Sequence, residues 1–310
     1  MKIAVFGATG YIGRSLIAAG IVWGMPLVPF SRDRSRAQSV FSKYGISEYG
    51  SLESYDTLIN RQYDVIINAS GVGSPSAIKE GKDDVFRATE SMDTLLFEYL
   101  ALYPKTRVYN ISTGAVFGLT SGEPITEESR AQYDPEHLTN GDRYALAKLV
   151  SEAKHRAHTE YAITDLRVFA FVSRFLNTEE SFFISQVAAC LLKDGVFTTG
   201  PEDMMRDYVS GEELLDVVLF LQGTAPENGA HNVESVAPIS KFDLLKSLTE
   251  RSGLCFEVGT DTRMQSPTGQ KNAYYSSTHT LQKLGYTPKA NAHQIIEREL
   301  TAFLTLQESV

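Results

Sequence analysis

The sequence predicts a doubly wound α/β fold, a parallel sheet flanked by helices, followed by a smaller C-terminal α/β lobe. Three observations predict it. Short β-branched and aromatic runs alternate with helical-length segments from residue 2 to about residue 168. A glycine-rich turn stands between the first such run and the first helical segment. Beyond residue 170 the alternation fades, which marks the change to a second lobe.

The strand candidates are residues 3–6, 27–30, 64–68, 107–111 and 163–169. Helices are expected near 11–20, 34–43, 82–103 and 141–160. In the third of these Val85, Met92, Leu95, Leu96 and Tyr99 recur at roughly 3.6 spacing, the mark of one apolar face. The second lobe should hold a helix near 181–193, a strand and turn near 196–209, and helices near 211–222, 241–251 and 293–305. Residues 1–168, with about 205–235, are thus expected to form the dinucleotide-binding domain, and 169–204 with 236–310 the substrate-binding lobe. The length of 310 residues agrees, because one core stops growing at about 250–300 residues.

The balance of charge excludes some partners. A net charge of -9, with no Lys/Arg cluster on one helix, argues against a nucleic-acid binder. Cys190 and Cys255 lack metal-type spacing and read as packing residues of a reduced, cytoplasmic protein. The apolar start of the chain is broken by Gly7 and Gly10 before it could act as a secretory or membrane segment, so no membrane partner is expected. His155 and His158 lie three apart on a helix with no further ligand near them, which reads as a solvated face; no metal is expected.

The first chemical motif is GATGYIG (7–13). Gly7 makes the tight turn, Gly10 lets a pyrophosphate reach bare backbone, and Gly13 lets the helix pack on the strand. The helix start then offers N–H groups and a positive dipole end to phosphates. This is the Rossmann arrangement for a dinucleotide. At the end of the second strand an acidic residue would hold the ribose 2′-hydroxyl of NAD. The chain has Ser31-Arg32-Asp33-Arg34 there. Ser31 and Arg32, with Arg34, suit a 2′-phosphate, so NADP(H) is favoured. Asp33 facing a ribose would leave NAD(H) possible.

The second motif is Tyr144-Ala145-Leu146-Ala147-Lys148, in a helical run that Thr139, Asn140, Gly141 or Asp142 could begin. Residues four apart share a helix face, so a phenol and an ammonium can enter one cleft. The positive charge should lower the phenol's pKa toward the working range for acid–base chemistry. Of the 15 tyrosines only Tyr144 has a lysine four positions on. A hydroxyl at the C-terminal end of the fourth strand candidate, Thr113 or Ser112, can then bind a substrate oxygen.

Together GATGYIG (7–13), DVIINASG (64–71), ISTGAVFG (111–118), YALAK (144–148), RDYVSGEELLDVV (206–218) and LGYTPK (284–289) resemble the extended short-chain dehydrogenase/reductase family, the epimerase/dehydratase group that contains nucleotide-sugar epimerases, dehydratases and 4-ketoreductases. The resemblance covers nearly the whole chain. It implies catalysis by Thr113, Tyr144 and Lys148, with Gly7, Thr9, Gly10, Tyr11, Ile12, Ser31, Arg32, Ala69, Ser70 and Lys148 around the cofactor. It also implies Arg206 and Arg263 at a sugar diphosphate, and homodimerisation through a helix pair as a possibility.

Three departures bear on the reaction. Gly114-Ala115 stand where dehydratases of the group carry an acidic pair, Ala170 stands where an Asn often meets the diphosphate, and Gly50-Ser51-Leu52 lacks the acidic residue usual after the third strand. The favoured expectation is an NADP-dependent reductase of a nucleotide-diphospho-4-keto-6-deoxy-sugar. The alternatives are a nucleotide-sugar 4-epimerase with bound NAD and, from another class, a non-catalytic NADP-binding sensor.

Overall fold

Alternate residues of the first strand feed two different cores. Ile3 and Val5 pack into one apolar cluster, Ala4 and Phe6 into another, and all four are buried. A strand buried on both faces reads as a continuous apolar run and belongs at the centre of a parallel sheet. The computed structural model describes residues 1–72, 84–118, 122–259 and 272–308.

In the first half the elements are β1 (Ile3–Phe6), α1 (Tyr11–Val22), β2 (Val28–Ser31), α2 (Arg34–Lys43), β3 (Glu53–Ser54), β4 (Val65–Asn68), α3 (Val85–Leu102), β5 (Arg107–Thr113), α4 (Asn140–Ala157) and β6 (Ile163–Val168). There follow β7 (Ala170–Phe171), α5 (Phe183–Leu192), β8 (Val196–Thr199), β9 (Met205–Arg206), β10 (Tyr208–Val209), α6 (Gly211–Gln222) and β11 (Gly229–Val233). The last elements are β12 (Ile239–Ser240), α7 (Lys241–Ser252), β13 (Cys255–Val258), β14 (Ala273–Tyr274), the one-turn α8 (Thr280–Lys283) and α9 (Ala292–Glu308).

Seven parallel strands form the main sheet in the order β11-β6-β5-β4-β1-β2-β3. The winding reverses between β1 and β4, and a crevice for ligands opens outside the strand ends at such a point. One face packs against α1 and α6 through Leu16, Ile17, Leu214, Leu215 and Val218. The other packs against α3 through Leu96, Tyr99 and Leu100, and α4 lies beside α3. A separate core, with Ile184, Val187, Phe197, Leu245, Ile295 and Phe303, belongs to the smaller C-terminal lobe. Val217–Val218 and Leu244–Leu245 are buried in these cores.

Helix ends follow local chemistry. Thr139 and Asp142 make a reciprocal capping box at the start of α4, and Ser210 with Glu213 does the same for α6. Asp33 caps α2 by accepting from the Arg36 amide.

Boundaries differ from expectation at several points. The second strand is shifted by one residue, and β5 runs two residues further than expected, to Thr113. The expected strand 163–169 is broken at Phe169, leaving β6 and the two-residue β7. The third strand follows Gly50-Ser51-Leu52 instead of preceding it, because Gly50 donates to the Leu27 carbonyl and pairing with β2 begins only at Glu53. The helix expected at 141–160 ends at Ala157. The helix expected from residue 82 begins at Val85; residues 82 and 83 lie outside the described residues. Among the described residues no helix is long and apolar enough to cross a membrane.

Candidate active site

The glycine loop is shaped by close contacts. Gly7 has φ +66°, and a Cβ there would sit 2.7 Å from the Ser70 Cα. A Cβ on Gly13 would lie 2.2 Å from the Gly7 carbonyl, so only glycine lets α1 close on the loop. The Gly7 amide donates to the Tyr55 hydroxyl at 2.9 Å, and burial pushes that phenol up to about 12. No side chain caps α1, and Gly10, Thr9, Tyr11 and Ile12 are exposed or half-buried at its start. A bare helix start lined by accessible glycine backbone fits a pyrophosphate.

At the rim, Ser31 donates to the Asp33 carbonyl at 3.0 Å and Arg32 is exposed. One oxygen of the Asp33 carboxylate caps its own helix, accepting from the Arg36 amide at 2.9 Å. Across the crevice Ala69 and Ser70 are half-buried just after β4. The Ala69 amide donates to the Phe6 carbonyl at 3.1 Å, which ties this loop to the glycine turn.

Tyr144 and Lys148 lie one turn apart in α4. Lys148 is buried, and its Nζ donates to the Ile111 carbonyl at 2.9 Å and the Ser70 carbonyl at 3.4 Å. Burial pulls its pKa down, against the charges of Asp93, Asp165 and Glu152. Tyr144 is half-buried, with the Thr113 hydroxyl at the end of β5 in its surroundings. Its phenol lies above the ordinary value: burial raises it, Tyr274 adds to the effect, and the Thr113 hydroxyl only partly opposes both. The lowering expected from Lys148 is not seen, and burial sets the direction.

Thr113 is the hydroxyl that meets Tyr144. Ser112 points elsewhere, donating to the buried Glu152 at 2.5 Å, and Glu152 also holds Arg167 at 2.5 Å. Tyr274 was not expected: its hydroxyl is 3.2 Å from the Thr113 oxygen, and its ring packs on Phe169 at 5.2 Å. Burial pushes its phenol up to about 12. Arg206 lies half-buried over the Tyr274 ring at 5.6 Å and donates to the Met205 carbonyl at 2.9 Å. Arg206 therefore stands beside Tyr274, which in turn reaches Thr113. Arg263 lies outside the described residues. A Cβ on Gly114 would meet the Phe169 ring at 2.4 Å, so the position after Thr113 has no room for a carboxylate side chain.

Two minor readings are corrected. His155 is not on a solvated face: it is fully buried, with Nδ1 2.9 Å from Asp165 and Nε2 3.5 Å from Asp93. Cys190 packs against the lobe's core as expected, whereas Cys255 is exposed on β13.

Comparison with known proteins bears on family and fold. The family model described as NAD dependent epimerase/dehydratase family matches residues 3–233. No curated protein matches the chain by sequence. Among solved structures, UDP-glucuronic acid 4-epimerase from Bacillus cereus, in complex with UDP-glucuronic acid and NAD, is 17% identical with a TM-score of 0.77, covering 99% of this chain and 100% of that one. UDP-glucose-4-epimerase from Stenotrophomonas maltophila, with bound NAD and formylated UDP-arabinopyranose, is 14% identical with a TM-score of 0.78 and full coverage of both chains. dTDP-glucose 4,6-dehydratase from Bacillus anthracis str. Ames, in complex with NAD, is 14% identical with a TM-score of 0.74, covering 99% and 98%. At these identities the likeness is one of fold.

Proposed function

The chain belongs to the NAD dependent epimerase/dehydratase family, and from that premise we propose that it is an NADP(H)-dependent reductase of a nucleotide-diphospho-4-keto-6-deoxy-sugar. One observation carries the reading: the Tyr144 phenol stands one helical turn from the buried Lys148, whose Nζ is held by the Ile111 carbonyl of β5, the strand that ends in Thr113.

The dinucleotide supplies the hydride chemistry when bound. The glycine loop and the start of α1 would hold its pyrophosphate, Ser31 and Arg32 its 2′-phosphate, and Ala69, Ser70 and Lys148 the nicotinamide ribose. Thr113 then hydrogen-bonds the carbonyl oxygen of the sugar and polarises it. Tyr144 delivers its proton to that oxygen as charge develops there. The adjacent Lys148 cation stabilises the phenolate left behind. Arg206, and Arg263 from the stretch outside the described residues, would meet the diphosphate, with 169–204 and 236–310 as the substrate lobe.

NADP is supported over NAD by Arg32, exposed beside Ser31 at the end of β2, where a 2′-phosphate would lie. A second reading, a nucleotide-sugar 4-epimerase with bound NAD, is favoured by neighbours of the same fold that are described with NAD and UDP-sugars. A 4,6-dehydratase is disfavoured by Gly114, where Phe169 fills the space. The test is NADPH oxidation with dTDP-4-keto-6-deoxy-glucose. Stoichiometric NAD released on denaturing the purified protein, with no NADPH consumption, would instead select the epimerase.

A further inference from the structure

A row of polar side chains lies on the sheet face beneath α3 and α4, where Ile66, Val108 and Ile163 pack as apolar neighbours. Asn68, Asn110 and Asp165 are register partners on β4, β5 and β6, and they are 3%, 1% and 0% exposed. Buried polar groups are costly unless each bond is made. Here they are made in one direction: Asn68 Nδ2 donates to Asn110 Oδ1 at 2.8 Å, and Asn110 Nδ2 donates to Asp165 Oδ1 at 2.7 Å.

The carboxylate sets that direction. A carboxylate only accepts, so the Asn110 amide must turn its NH2 toward Asp165 and its oxygen toward Asn68. Asn68 must then keep its own oxygen for the next partner. That oxygen accepts from the Ser70 amide at 3.2 Å and from the Ser70 hydroxyl. The Ser70 carbonyl in turn accepts from Lys148. Asp165 is itself clamped by Arg156 at 2.7 Å and His155 at 2.9 Å. A well-packed apolar row would serve stability equally well. What only a polar row can do is orient the loop after β4.

We propose that Asn110 and Asp165 are positioning residues of the active site: through Asn68 they fix Ser70 against Lys148, and so set where the nicotinamide ribose rests. This rests on the functional reading above. The charged groups around the row are Asp93 from α3, Lys148, Glu152, His155 and Arg156 from α4, and Arg167 from β6. None of them intervenes between residues 110 and 165, whose side chains touch directly.

The test uses Asn110→Asp and Asn110→Ser in the full chain. It reads melting temperature, NADPH affinity, the fluorescence emission of bound NADPH, and kcat and KM with dTDP-4-keto-6-deoxy-glucose. Asn110→Ser, neutral and smaller, loses the bridge at every pH. Its kcat should fall about tenfold, with NADPH affinity within about threefold of wild type and the emission of bound NADPH moved toward that of free NADPH. Asn110→Asp can bridge to Asp165 only through a shared proton. Its rate relative to wild type should be near one at about pH 5.5 and fall as the pH rises toward about 8.5. If Asn110→Ser does not fold, that pH-dependent ratio, read on one protein, decides. Lower melting temperatures with unchanged kcat and emission, or a ratio flat with pH, would overturn the inference alone. A wild-type chain that neither binds NADPH nor turns over would remove the functional reading and this inference with it.

Discussion

The hydroxyl oxygens of Thr113 and Tyr274 stand 3.2 Å apart, so the group that would grip a substrate oxygen already shares its hydrogen bond with a phenol 161 residues away in sequence. Tyr274→Phe keeps the ring against Phe169 and removes that competitor. One neutral hydrogen bond is worth about 0.5–1.5 kcal/mol, so KM for the keto-sugar should fall by about two- to tenfold. Steady-state kinetics check this, and a rise in KM would mean that Tyr274 binds the substrate itself.

Tyr144→Phe removes the proton donor and leaves the ring's packing. Turnover should drop by roughly 10²–10⁴, the range for loss of a general acid, while NADPH affinity stays within about twofold. Equal turnover in wild type and variant would show that Tyr144 is not the proton donor, and NADPH binding with no turnover in either would point to the non-catalytic sensor.

Arg32 is exposed beside Ser31 at the end of β2. Arg32→Ala should weaken NADPH binding by about 10- to 100-fold, the loss expected for a charge-assisted hydrogen bond to phosphate, and leave NADH nearly unaffected. Parallel fluorescence titrations give both constants. Equal losses for the two cofactors would contradict the 2′-phosphate assignment.

His155 links stability to pH. Burial opposes its charge, but hydrogen bonds and charges from Asp165 and Asp93 lift its pKa from 6.5 to about 9. A group raised on folding stabilises fully below its unfolded pKa and loses that contribution as pH rises through the folded one. Unfolding free energy should therefore decline between about pH 6.5 and about pH 9, by about 3 kcal/mol from this residue. Urea unfolding across that window tests it, and His155→Gln should flatten the curve there.

Gly114→Ala would push a methyl group into the Phe169 ring, 2.4 Å from the ideal Cβ. Overpacking of this kind costs about 1–3 kcal/mol. Because Phe169 backs Tyr274, both a lower melting temperature and a changed KM are expected. An unchanged melting temperature would show that the ring yields freely.

What could be read from the sequence was what neighbouring residues decide among themselves. The glycine turn, the Tyr144–Lys148 spacing and the Thr139 cap are each complete within a few positions, so local chemistry announces them. The Glu53–Ser54 strand is too short to carry a pattern. Gly229-Ala230-His231-Asn232-Val233 lacks β-branched alternation and becomes a strand only by docking along β6. His155 was misread because helix spacing does not reveal that Asp93 and Asp165 close over it from two other elements. Tyr274 bears no motif; only the path of the chain carries it to Thr113.

The chain laces its two main cores together. It leaves the sheet after β6, returns for α6 and β11, departs again at β12, and comes back once more when Leu281 and Tyr286 pack beside Val233. A protease cutting once between these passages severs a thread and frees no self-sufficient piece. Synthesis from the N-terminus likewise leaves β6 with a bare edge until residue 233 has emerged, so completion of the nucleotide half waits upon most of the polypeptide.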